Sequence, residues 1–155
     1  RQINLEKGTE GLDYCKSTNE LWVTNNLSNY ISIVDLDLME EIKQLPTGKA
    51  PVRFKFSSDE KFGIVTNKDE GSISIYNVER RSFVKEVIIP GQSNLFEKIV
   101  YHSPRLVGLC FHPTEPYAFI SNSNANKIMV VSLDKLELVG SINVGEIPDG
   151  VAVSL

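Results

Sequence analysis

The sequence is short of several things, and each shortage removes a class of protein. No apolar stretch approaches the ~18–20 residues that a membrane-spanning helix needs. Neither charge sign dominates: 16 Lys and Arg stand against 20 Asp and Glu, a formal net charge of -4. That balance lacks the concentrated positive charge that a nucleic-acid backbone selects. The two cysteines, Cys15 and Cys110, are too few for a disulfide framework or a zinc site, and read as small buried hydrophobes. No Ser-His-Asp order, paired glycosidase carboxylates, phosphate-binding glycine loop or His-Glu-x-x-His motif occurs. The periodicity of a long helix is missing too, and only Leu95-Phe96-Glu97-Lys98 reads as a short helical turn. The sequence opens on Arg1 with no apolar leader, so compartment has to be argued indirectly. What remains is a globular composition, 155 residues with 41% hydrophobic and 23% charged, enough for one ordinary core.

The organising feature is an internal repeat. Trp22-Val23-Thr24-Asn25 recurs 42 positions later as Ile64-Val65-Thr66-Asn67, and another 55 positions on as Phe119-Ile120-Ser121-Asn122. The same offsets carry Ile31-Ser32-Ile33-Val34-Asp35 onto Ile73-Ser74-Ile75-Tyr76-Asn77 and then onto Ile128-Met129-Val130-Val131-Ser132. They also carry Leu12 and Tyr14 onto Phe54 and Phe56, then onto Leu109 and Phe111, and a further 42 lands on Val151 and Val153. Several landmarks sharing one set of offsets identify a repeat protein.

Each copy reads as four short strands. Alternation with period two, as in Phe54-Lys55-Phe56 and Ile73-Ser74-Ile75, fits half-buried strands. Polar clusters rich in Asn, Asp, Ser and Gly separate them, and these residues tolerate the backbone of tight turns. The second copy divides into strands A to D at about 52–58, 61–67, 72–78 and 82–89. Four antiparallel strands in about 42 residues make one β-propeller blade. The predicted fold is all-β: blades at about 11–46, 52–90 and 106–145, an insertion at about 91–105, and a further strand A at 149–155. Residues 1–8 read as the tail of a D strand. Three blades cannot close a ring, so a segment of a larger propeller is expected.

The repeat resembles the YVTN-type β-propeller family. Val-Thr-Asn closing strand B, Ile-Ser-Ile-Val-Asp in strand C and Pro148-Asp149-Gly150-Val151-Ala152-Val153-Ser154 carry the likeness. The Gly-His and Trp-Asp marks of WD40 repeats are missing. The YVTN-type family contains surface-layer and periplasmic proteins, commonly with seven blades. The resemblance therefore implies a periplasmic, cell-surface or secreted propeller, with a non-enzymatic scaffold or binding role expected. A propeller enzyme or cofactor carrier, similar to lactonases, amine dehydrogenase heavy chains or haem d1 proteins, is the alternative. The expected partners are another protein or a small anionic ligand, together with further blades of the same ring. No cofactor is predicted; haem d1 or a divalent metal belongs to the alternative.

Two departures from the repeat single out candidate residues. Strand A opens with Gly11, Gly108 and Gly150, but the second copy has Arg53, flanked by Lys49 and Lys55. Three cations at a channel opening fit an anion or a partner's carboxylate. The extra 13 residues before the third copy carry Tyr101, His102 and Arg105 in a D-to-A connection. Such loops open beside the channel, where functional side chains collect. His102 is the residue that would ligate a haem in the alternative reading. His112 is assigned to capping the A–B turn, and Asp35-Leu36-Asp37 to a C–D turn, since its spacing lacks the glycine-containing loop of a calcium site. Trp22, Ile64 and Phe119 are expected at one equivalent buried position, and Tyr14, Phe56, Phe111 and Val153 at another.

Overall fold

The computed structural model describes residues 2–90 and 104–154. Twelve strands run through the described residues in three sheets, each a meander of chain neighbours. The first blade is β1 (Thr9–Cys15), β2 (Glu20–Asn25), β3 (Tyr30–Asp35) and β4 (Glu40–Pro46). The second is β5 (Pro51–Phe56), β6 (Phe62–Asn67), β7 (Ser72–Asn77) and β8 (Ser82–Ile88). The third is β9 (Leu106–Phe111), β10 (Tyr117–Asn122), β11 (Lys127–Ser132) and β12 (Glu137–Asn143). The insertion with Tyr101 and His102, and the helical turn at 95–98, lie outside the described residues.

The sequence offsets are also offsets of register. Trp22 stands between Asp13 and Ile33, Ile64 between Lys55 and Ile75, and Phe119 between Cys110 and Val130. Even the irregularities repeat: the third and fourth strands slip at Ile33/Val34, Ile75/Tyr76 and Val130/Val131. Each bulge adds one residue and increases local twist, which keeps the outer strand wrapped on its blade. Turns repeat likewise. Asp35 Oδ1 accepts the Asp37 and Leu38 N–H groups at 2.8 and 2.9 Å, Asn77 Oδ1 accepts Arg80 N–H at 2.7 Å, and Ser132 Oγ accepts Lys135 N–H at 3.3 Å. These side chains mimic a backbone turn and set the C–D loops.

Packing runs from blade to blade. Phe54 and Phe56 of β5 reach into the first blade, where Trp22 stacks on Phe54 with centroids 5.4 Å apart and meets Phe56 edge-on. Cys15, Ile31, Ile33, Val65 and Tyr76 complete that cluster. A second cluster joins the other face of blade two, through Ile64, Ile73 and Ile75, to Leu109, Ala118, Ile120, Met129 and Val131 of blade three. Alternation in each strand sends one set of side chains to each neighbour.

Burial at the two predicted equivalent positions is accordingly unequal. Trp22, Ile64 and Phe56 are buried, but Phe111 and Phe119 are half-buried, and Tyr14 and Val153 are 46% and 39% exposed. Leu12 and Tyr14 lie on the face of blade one turned away from blade two, and Phe119 on the outward face of blade three. No neighbouring blade among the described residues covers them. For the same reason residues 2–8 and 144–154 form no strand, against expectation. A strand is a ladder, and neither segment has its own blade to pair with. Residues 148–149 still dock: the Ser123 and Ser121 hydroxyls donate to the Pro148 and Asp149 carbonyls.

The two junctions differ in chemistry. Between blades one and two, the fully buried Glu20 carboxylate accepts Trp22 Nε1–H at 3.0 Å and Arg81 Nε–H at 2.7 Å, with Arg81 Nη2 as a further partner. Glu60, on the A–B turn of blade two, accepts Lys16 N–H at 2.9 Å and Ser17 N–H at 2.8 Å. Partial burial pushes the Glu60 carboxyl up, but the Lys16 and Ser17 N–H groups, the Ser17 hydroxyl and the Cys15 thiol outweigh it. Its pKa is thus below the ordinary carboxylate value. At the junction of blades two and three the positions of Glu20 and Arg81 are taken by Phe62 and Leu136, which pack on the apolar cluster.

Two stability outcomes follow from this packing. Phe56→Ala is expected to cost roughly 3–5 kcal/mol in urea unfolding, and Phe111→Ala clearly less, because only the first is fully enclosed. Equal losses would contradict the burial difference. Because the folded Glu60 carboxyl titrates below its unfolded value, its stabilisation is complete above the ordinary carboxylate pKa and is lost as pH falls through the depressed one. Glu60→Gln should therefore lower thermal stability at neutral pH and flatten its fall on acidification. Unchanged pH profiles would refute the stabilising role of the Glu60 hydrogen bonds to Lys16 and Ser17.

Candidate functional site

The inner edge of the blades is built by β1, β5 and β9, and one hydroxyl per blade sets their spacing. Gly11 N–H donates to Thr24 Oγ1 at 2.7 Å, Arg53 N–H to Thr66 Oγ1 at 3.1 Å, and Gly108 N–H to Ser121 Oγ at 2.6 Å. Ser121 in turn donates to the Asp149 carbonyl of the following segment at 2.6 Å, while Thr24 donates to the Gly11 carbonyl of its own blade at 3.1 Å with the Val52 carbonyl of the next blade 3.4 Å away. These contacts bring backbones so close that a Cβ on Gly11 would collide with the Val52 carbonyl, and one on Gly108 with that of Asp149. Glycine is required there by space. Arg53 occupies the same repeat position and its side chain is exposed. The inner strand of blade three therefore leaves room that the other junctions do not.

Arg53 and Lys55 alternate with the buried Val52, Phe54 and Phe56, so both lie on one face of β5. They are not equivalent electrostatically. Lys55 Nζ is 3.2 Å from Asp13 Oδ1, whose other oxygen accepts Phe56 N–H at 3.0 Å. Asp13 thus ties Lys55 to the blade junction, and the expected three-cation cluster loses a member. Arg53 is in no ion pair among the described residues. Lys49 is exposed on the loop joining blades one and two, where its N–H donates to Glu70 and its carbonyl accepts Asp69 N–H. Arg105 is exposed at the start of blade three, its carbonyl accepting Ser123 N–H.

The B–C turns and the segments leading into strand A share one face of the molecule. Asn26, Lys68 and Ser123 N–H groups bond the Gly8, Ala50 and Arg105 carbonyls, three equivalent pairs. Lys49 and Arg105 therefore belong to the same face, one blade apart, with Arg53 on the wall between. Tyr101 and His102 cannot be placed, lying outside the described residues.

The opposite face carries a cleft of about 340 Å³ between the A–B turns of blades two and three, lined by Asp59, Lys61, Phe62, His112, Glu115 and Asp134 among others. His112 Nδ1 accepts Glu115 N–H at 2.9 Å and Thr114 N–H at 3.3 Å, which makes it a turn cap. Partial burial pushes the Asp59 carboxyl up, but the Ser57 hydroxyl and Lys61 outweigh it, leaving its pKa below the usual range. Half-buried Cys110 has its thiol pKa pushed up by burial. Among the described residues no three His, Cys, Asp or Glu side chains cluster as a metal site, and no helix is long and apolar enough to cross a membrane.

Sequence reasoning missed the polar residues of the first junction. The signal was present as a charge at an apolar repeat position: Glu20 stands where the later copies have Phe62 and Tyr117, and Arg81 where the third has Leu136.

No protein-family model matches the chain, and no curated protein matches it. Solved structures do. Hydrazine synthase from Kuenenia stuttgartiensis superposes with a TM-score of 0.79 at 18% identity, over 92% of this chain and 38% of that one. Virginiamycin B lyase from Staphylococcus aureus, solved with quinupristin, gives 0.72 at 16% identity over 95% and 46%. The WD40 repeats of RRP9 give 0.73 at 11% identity over 92% and 40%. The chain spans less than half the length of each of these. Identities this low carry a likeness of fold alone, and that fold is the β-propeller, of which the described residues form three consecutive blades.

Proposed function

We propose that this chain is a binding segment of a β-propeller, presenting Arg53, with Lys49 and Arg105, to a small anionic ligand or an acidic group of a partner protein. The observation that carries the reading is Arg53 itself: an exposed guanidinium outside any ion pair among the described residues, at a repeat position where close backbone approach demands glycine at Gly11 and Gly108. Blade packing does not need a cation there. A guanidinium offers a planar fork of donors matched to carboxylate or phosphate oxygens. Lys49 and Arg105 add charge on the face that the B–C turns share. The 91–103 connection, which joins blade two to this face, supplies further contacts in the same reading.

The role is binding without turnover. A cell-envelope setting rests on the resemblance of the Val-Thr-Asn and Ile-Ser-Ile-Val-Asp copies to YVTN repeats. Further blades are the other expected partner, since Leu12 and Tyr14 on one outward face and Phe119, Ile128 and Val130 on the other leave apolar surface to cover.

Titration calorimetry with succinate and with an oligoglutamate peptide tests the reading. Arg53→Ala should weaken binding at least tenfold while leaving unfolding stability within about 0.5 kcal/mol, as for a surface residue. The difference should shrink in high salt, because exposed charges are screened. Deleting residues 92–103 should leave the blades folded and weaken the same binding. Parent-like binding by both variants would refute the proposal. So would turnover, or a visible cofactor band, in the protein.

A further inference from the structure

The two outward faces of the three blades repeat the apolar positions of the inner junctions. Phe54 and Leu109 are buried against the preceding blade, and Leu12, in the same repeat position, is 55% exposed. Leu45 and Val87 are buried against the following blade, and Ile142, their equivalent, is 52% exposed. Tyr14 lies on the same face as Leu12, and Phe119 on the same face as Ile142. Each face therefore carries an apolar row that a neighbouring blade covers wherever one is present.

What each face accepts follows from the polar positions beside these rows. The first junction is built from matched halves: Glu20 with Arg81, and Glu60 with the Lys16 and Ser17 N–H groups. Blade three has Tyr117 where Glu20 stands, and Pro113, which has no N–H to offer, where Lys16 stands. Blade one has Met39 where Arg81 stands, and Thr18 where Glu60 stands. Met39, Arg81 and Leu136 share a left-handed backbone, with φ of 58°, 46° and 53°. From that turn Arg81 meets Glu20 in one junction, and Leu136 packs on the same cluster as Phe62 in the next. Tyr117 and Met39 are thus a pair of the Phe62 and Leu136 kind. At these positions neither face holds half of an ion pair or of a carboxylate clasp. Blade three calls for an apolar neighbour, and blade one of another copy has that chemistry.

We propose that a second copy of this chain docks head-to-tail, the outward face of its blade one against the outward face of blade three. The inference rests on reading those faces as blade junctions, and Arg53 has no part in it. Residues 149–154 carry Val151 and Val153 at the repeat positions of Leu12 and Tyr14 and form no strand. The incoming β1 brings larger side chains to those positions, already paired in a sheet, and takes the place of that segment. Residues 2–8 of the incoming copy, which also form no strand, yield to the end of β12. The contact is heterologous, and two copies of three blades reach a blade number found in closed propellers.

The test is sedimentation velocity of the 155-residue chain from low micromolar to several hundred micromolar, with Leu12→Asp and Ile142→Asp as variants. Both side chains are half exposed, and unchanged thermal transitions at low concentration would show both variants folded. The parent should associate as concentration rises. Each variant alone has lost one of the two faces and should associate at least tenfold more weakly. An equimolar mixture of the two retains one intact junction and should give a heterodimer and nothing larger. Removing residues 149–155 should tighten association. Arg53→Ala should leave it unchanged, so failure here and failure of the anion-binding reading are separate results. The inference is overturned if the parent stays monomeric throughout, which would assign the faces to blades of another sequence, or if either variant associates as the parent does. It is equally overturned if the mixture stays monomeric, or if removing residues 149–155 abolishes association.

Discussion

A four-stranded blade has two apolar faces and can bury neither by itself, so every blade depends on the one beside it. In this chain that dependence is concrete. Trp22 of the first blade is enclosed by Phe54 and Phe56 of the second, and Ile64 and Ile75 of the second by residues of the third. Where a neighbour is absent among the described residues, the equivalent side chains are less enclosed, Tyr14 being exposed and Phe119 half-buried. Burial here is a property of a junction, and a residue contributes to it only as far as the next blade reaches. This is the nearest-neighbour energetics of repeat proteins, seen in three units.

The junction also governs what the inner edge can present. Where the Thr24 and Ser121 hydroxyls hold the following segment, the backbones touch and only glycine fits. Between blades two and three the position is held by Arg53. The same junction exchanges the Glu20–Arg81 clasp for Phe62 and Leu136, and Glu115, in the repeat position of Glu60, lines an open cleft instead of closing it. A wider inner edge and an apolar outer seam occur together. Departures from the repeat thus gather at the junctions: Arg53 on the inner wall between blades two and three, Glu20 and Arg81 between blades one and two.

Legibility followed the range of the interaction. Strands, turns and register were readable because each depends on neighbours within one copy. Alternation in Phe54-Lys55-Phe56 marks a half-buried strand, and Asp35, Asn77 and Ser132 cap their own loops through bonds two or three residues long. His112 was readable as a turn cap for the same reason. The ion pair of Lys55 with Asp13 was not, because it joins two copies and depends on how far apart their inner strands stand. Nor was the exposure of Tyr14 and Val153, since the repeat marks a position as apolar without saying whether a neighbour covers it.

The amino-acid sequence by itself determined the blade: four strands, their offsets of 42 and 55 residues, and the apolar faces that must be covered. Local hydrogen bonding and alternation are enough to specify those features, and they need no knowledge of the third dimension. The tertiary structure alone decided which charges are free. Asp13 takes Lys55, Glu20 takes Arg81, and Arg53 is left exposed, because Coulombic partners are chosen by distance across a junction and the repeat constrains only spacing along the chain.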